Sequence, residues 1–121
     1  MTKQEIFREA ARTLSARYHP ERIILFGSQA RGTADKRSDI DLLVIGPVKK
    51  NRLKMMVEMS RALAGIKFAF DILLLTTREF ERDKGIPGTL ARYASREGKV
   101  LYDSQKEGTR KNGKRVAAIR G

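Results

Sequence analysis

The chain has 121 residues, 40% of them apolar, enough to bury one core and hardly two, so a single small domain is expected. The absence of cysteine excludes disulfides and zinc thiolate sites and suits a reducing cytoplasm. No charged-then-apolar leader opens the sequence, and no apolar run approaches the roughly 18 residues a bilayer span requires, so a cytoplasmic protein with no membrane contact is expected.

In chain order, Thr2-Lys3-Gln4-Glu5 reads as a capping box, and Ile6, Ala10, Leu14 and Tyr18 recur every four residues to give an amphipathic first helix ended by Pro20. The single histidine, His19, precedes that proline and reads as a surface residue at a helix end rather than a ligand. Residues 22–26, Arg-Ile-Ile-Leu-Phe, form a short β-branched apolar run that stops at Gly27 and predicts a buried strand. Small residues follow in Gly27-Ser28-Gln29-Ala30-Arg31-Gly32. They let the backbone approach a ligand, and a helical turn starting there would aim N–H groups and a positive dipole end at an anion, most naturally a phosphate.

Residues 38–45, Ser-Asp-Ile-Asp-Leu-Leu-Val-Ile, predict a second strand, in which Asp39 and Asp41 project to one side and Ile40 to the other. A second helix follows, with Leu53, Met56, Val57, Ser60, Leu63 and Ala64 as its expected inner face and Gly65 as its stop. Its methionines are read as core rather than as a binding groove. Residues 67–75 form another apolar run, interrupted by the single charge of Asp71, and strand, helix, strand suggests a right-handed crossover. Thr76 or Thr77 caps a short helix through about Asp83, Ile86-Pro87-Gly88 breaks it, residues 90–97 form a further helix ended by Gly98, and Val100, Leu101 and Tyr102 suggest an edge strand.

From Ser104 the apolar pattern gives way to Gly, Lys and Arg, so the domain is placed at 1–103 and a basic, disordered tail at 104–121. The whole chain holds 26 basic and 14 acidic residues, a net charge of +12. Six basic residues against Glu107 give the tail +5, which leaves +7 on the domain, and part of that excess suits a polyanionic nucleotide. The tail is a possible nucleic-acid contact, although no aromatic side chains interleave its charges to stack bases.

The chemistry lies in the carboxylates. Two of them about 5 Å apart repel by roughly 3 kcal/mol at an effective dielectric near 20, which a divalent cation would relieve. Oxygen-only ligands beside a phosphate turn suit Mg²⁺. Asp71 cannot be buried alone without a cost of several kcal/mol, but on a strand beside that of Asp39 and Asp41 it joins the same cluster, as a metal ligand or as a proton acceptor. Gly27, Gly32 and Thr33 match part of a Walker A loop, but its lysine is missing. Each element alone would fit solvent-facing acids and an ordinary glycine turn. Three separate strand acids around one such turn favour a site.

On these residues, Gly-Ser-x-Ala-Arg-Gly, then Ser-Asp-x-Asp-Leu, then a lone Asp on a later strand, the sequence resembles the nucleotidyltransferase fold of the DNA polymerase β superfamily, most closely its minimal stand-alone members, the MNT proteins. The resemblance covers roughly residues 20–76 and implies an α/β nucleotidyltransferase fold, a small mixed sheet flanked by helices. It implies that Gly27 and Ser28 hold a nucleoside triphosphate, with Arg31, Gly32 and Ser38 in the nucleotide-binding set. It implies further that Asp39, Asp41 and Asp71 are the catalytic acids and the ligands of Mg²⁺. One departure is Asp35, where many such domains carry Arg, with Lys36 and Arg37 beside it.

The activity implied is Mg²⁺-dependent transfer of a nucleoside monophosphate, AMP from ATP in the first instance, to a hydroxyl. The resemblance points to a HEPN-type partner protein as acceptor, with this chain as the antitoxin of a toxin-antitoxin pair. The alternative is a partner-neutralising or nucleic-acid-binding module in which the nucleotide site is secondary or idle.

Overall fold

The computed structural model describes residues 1–34 and 39–106. Ser38 and most of the basic tail, with the disorder expected there, lie outside the described residues.

Among the described residues nine elements follow one another: α1 (Lys3–Tyr18), β1 (Arg22–Phe26), the single-turn α2 (Ser28–Arg31), β2 (Ile40–Ile45), α3 (Arg52–Ala62), β3 (Phe70–Leu75), α4 (Thr77–Asp83), α5 (Leu90–Glu97) and β4 (Lys99–Asp103). The strands form one mixed sheet in the order β3-β2-β1-β4. β1 is antiparallel to both β2 and β4, while β2 and β3, joined through α3, run parallel. This is the expected α/β architecture, a small mixed sheet with helices on both faces.

Side chains alternate across the strands and so build two cores. Ile23, Leu25, Leu42, Val44, Ile72 and Leu74 pack on one face with α1 and α3. Ile24, Phe26, Leu43 and Ile45 pack on the other with Phe80 of α4 and Ala91 and Ala94 of α5. The helix starts follow the capping chemistry of the sequence. Thr2 with Glu5 and Thr76 with Glu79 each close a capping box, and Thr89 caps α5. His19 is exposed and ends α1 in the left-handed conformation, ahead of the buried Pro20. No described helix is long and apolar enough to cross a membrane.

α3 keeps Leu63 of its expected inner face buried and Met56 packed against the core, but departs from that face elsewhere. Met55, Met59 and Leu63 face the core, whereas Leu53 is 65% and Val57 42% exposed. Two apolar stripes compete on this helix, and the tie is broken by Arg52. Its guanidinium pairs with both oxygens of Glu79 at 2.8 Å and donates to the Leu74 carbonyl at 3.0 Å, which pins the face holding positions 52, 55, 59 and 63 against β3 and α4.

Glu79 is held at a pKa of about 2 against its ordinary 4.5, chiefly by Arg52 and then by the Thr76 N–H. The folded state therefore binds this proton less tightly than the unfolded chain. The stabilisation is complete above pH of about 4.5 and is lost as pH falls through about 2. Because both side chains are partly solvated, about 1 kcal/mol is expected from the pair. In chemical denaturation measured from pH 6 down to 2, Glu79→Gln should flatten the acid limb of the stability curve by that amount. An unchanged limb would place the proton uptake elsewhere.

Candidate active site

The site forms at the end of the sheet where β1 finishes and β2 and β3 begin. Phe26, the last residue of β1, pairs with Asp41, and Asp41 pairs on its other side with Asp71. Neighbouring strands lie about 4.8 Å apart, so this register sets two carboxylates side by side on the α4–α5 face of the sheet. Asp39 lies just ahead of β2, with Ile40 anchored by an N–H to Ala69 carbonyl bond of 2.9 Å. Asp41 is half-buried, while Asp39 and Asp71 are exposed. Burial holds the Asp41 carboxyl above its usual range, the charges of Asp71 and Asp39 push it further up, and Arg31 pulls the other way. All three aspartates thus belong to one electrostatic neighbourhood.

Gly27 closes that neighbourhood from the β1 side. Its backbone has φ +76° and ψ −156°, a region that side chains other than glycine's essentially do not enter. A Cβ placed there would lie 2.2 Å from Asp41 Oδ2. The carboxylate therefore rests against bare backbone. The chain then turns through α2, ends it at Gly32 in the left-handed conformation, and brings Arg31 over the same region.

Among the described residues, no group of three His, Cys, Asp or Glu side chains is placed so that it could hold a metal ion. The three acids make an open arrangement, and Mg²⁺ asks for no more than one or two carboxylates plus substrate oxygens and water. The donor set is all oxygen, and the charge crowding on Asp41 is what a cation would relieve, so the residues fit a hard divalent ion.

Two participants carry no signal in the local sequence. The Arg31 Nη1 donates to the hydroxyl of Tyr93 on α5. The Tyr93 ring also meets Phe26 edge-to-face, with centroids 6.1 Å apart and planes at 90°. Gln29, inside the turn, is the one buried polar side chain, at 7% exposure among the described residues. Sixty-two residues separate Arg31 from Tyr93, so only the assembled fold reveals the pairing. A groove of about 670 Å³ lies elsewhere, between α1 and the segment leading into β3, and contains none of the three aspartates.

The family described as "Nucleotidyltransferase domain" matches residues 5–111. A Methanocaldococcus jannaschii protein, named as a proposed protein adenylyltransferase, is 31% identical over 104 residues, covering 84% of this chain and 100% of its own. Among solved structures, a proposed nucleotidyltransferase from Sulfolobus solfataricus superposes with a TM-score of 0.59 at 23% identity, over 85% of this chain and 82% of that one. A complex of tri-AMPylated Shewanella oneidensis HEPN toxin with its MNT antitoxin matches with a TM-score of 0.58 at 17% identity, over 98% of this chain and 97% of that one. At such identities the structural likeness concerns the fold.

Proposed function

The chain belongs to the nucleotidyltransferase domain family, and we propose that it acts as a protein adenylyltransferase, moving AMP from ATP to a hydroxyl of a partner protein with Mg²⁺ as its cation. The observation that carries this reading is the seating of Asp41 between Asp71 and the bare backbone of Gly27, with Asp39 just ahead of it. Asp39, Asp41 and Asp71 would hold the cation. Gly27, Ser28, Gly32 and Ser38 would border the triphosphate, with Arg31 beside it as a positive charge that acts on Asp41. When bound, the metal absorbs the charge that develops on the attacking and leaving oxygens.

In the reaction the acceptor oxygen bonds to the α-phosphorus, the bond from that phosphorus to the bridging oxygen breaks, and pyrophosphate leaves. The acceptor's proton passes to a carboxylate. Asp71, exposed on the edge strand β3, would be the acceptor of that proton, as the third acid beside the Asp39 and Asp41 pair. The chain needs no side-chain nucleophile, and its contribution is to align acceptor, phosphorus and leaving group. The Shewanella oneidensis complex pairs an antitoxin of this fold with an AMPylated HEPN toxin, which supports a HEPN-type partner and an antitoxin role here.

The test is transfer of label to a co-expressed partner. Label from α-labelled ATP should stay on the partner protein when Mg²⁺ is present, label from γ-labelled ATP should not, and EDTA should abolish the signal. No retained α-label on protein, RNA or small acceptors would reject the reading. A partner-binding role with an idle site is favoured by the exposed Leu53 and Val57 on α3. That reading expects Leu53→Ser/Val57→Ser to lose the partner while substitutions at the aspartates keep both the partner and its neutralisation.

A further inference from the structure

We propose that Tyr93 is a positioning residue that holds Arg31 off the aspartates, leaving their carboxylates open to a cation. This rests on the cation reading of Asp39, Asp41 and Asp71 given above.

Arg31 and Asp41 are close enough for the guanidinium to act on the carboxylate electrostatically. A bidentate Arg–carboxylate pair is the strong default for such neighbours. Yet among the described residues no salt bridge joins Arg31 to a carboxylate, and its Nη1 donates instead to the neutral hydroxyl of Tyr93. An arginine seated on Asp41 would supply the opposite charge that the cation is meant to supply, and the two would compete for one carboxylate.

Tyr93 is well placed to prevent this. Its ring is fixed edge-to-face against Phe26, which immediately precedes the turn and pairs with Asp41 across the sheet. Its hydroxyl takes Arg31, which ends the helical turn. One side chain of α5 therefore touches the phosphate turn at both ends and sets the direction of its only arginine. The helix itself is fixed from the core side by Ala91 and Ala94, so the hydroxyl has a rigid base.

Mn²⁺ binding, followed by paramagnetic resonance or calorimetry on the full chain, tests this without relying on turnover. Tyr93→Phe keeps the ring against Phe26 and removes only the hydroxyl. The freed guanidinium should then settle on Asp41, and Mn²⁺ affinity should fall about tenfold, the scale of one hydrogen bond to a charged group. In an Arg31→Gln background the same Tyr93→Phe change should leave Mn²⁺ affinity unaltered, because no competing cation remains. A merely structural role for the hydroxyl would weaken binding equally in both backgrounds, and that result would overturn the proposal, as would a Tyr93→Phe protein that binds Mn²⁺ like the wild type. If the wild-type chain binds no Mn²⁺, the cation reading of the aspartates falls and takes this proposal with it.

Discussion

Asp41→Asn should cost the enzyme its transfer activity while making the metal-free protein more stable. The carboxylate is the central member of the trio, paired in register with Asp71 and resting on Gly27, so its charge is the one most exposed to both neighbours' repulsion. Replacing it by an amide of the same shape removes a half-buried charge and two like-charge interactions without leaving a cavity. The gain should be about 1 kcal/mol, a rise of several degrees in melting temperature for a domain of this size. The same change would delete the central carboxylate of the proposed cation site, and a loss of several kcal/mol in transition-state stabilisation corresponds to roughly a thousandfold or more in rate. Thermal unfolding in EDTA and α-labelled ATP transfer, measured on the same preparations, read the two effects separately. Lost activity with lost stability would mean that Asp41 is a structural residue. Unchanged activity would remove it from the chemistry altogether.

That opposition of stability and function also explains what could be read before the fold was known. β1 is legible at residues 22–26 because a β-branched run ending at a glycine has few alternatives, and the starts of α1 and α4 are legible because Thr2-Glu5 and Thr76-Glu79 carry their capping chemistry within four residues. The alternation that sends Asp39 and Asp41 to one side is likewise local. The inner face of α3 is not local. The expected face of Leu53, Met56, Val57, Ser60, Leu63 and Ala64 holds at Leu63 and in part at Met56, while Met55 and Met59 fill the core beside an Arg52 that meets Glu79, twenty-seven residues away. The partnership of Arg31 with Tyr93 is more distant still and joins a motif arginine to a tyrosine that looks unremarkable in its own segment. Long-range polar contacts of this kind set phase and direction, and periodicity carries no trace of them.

Gly27→Ala should disable the site with a single methyl group. The residue combines a positive φ of +76° with an extended ψ of −156°, a conformation that costs a non-glycine residue of order 1–3 kcal/mol before any contact is counted. The contact adds a displacement: the new Cβ would stand 2.2 Å from Asp41 Oδ2, so one of the two must shift. Either the backbone relaxes and carries Phe26 and α2 with it, or Asp41 rotates away from the turn. Asp41 lies at the first turn of a strand paired on both sides, so its backbone cannot follow and its side chain must move. A displacement of about 1 Å at a reacting centre costs on the order of a hundredfold in rate. The expected outcome is a fall of about 2 kcal/mol in unfolding free energy together with loss of both Mn²⁺ binding and transfer. Gly32→Ala is the control: that glycine has the same φ of +76° but nothing within 4 Å of the added atom, so it should show the backbone cost without the loss of metal binding. If the two variants behave alike, strain in the turn rather than the seat of Asp41 governs the site.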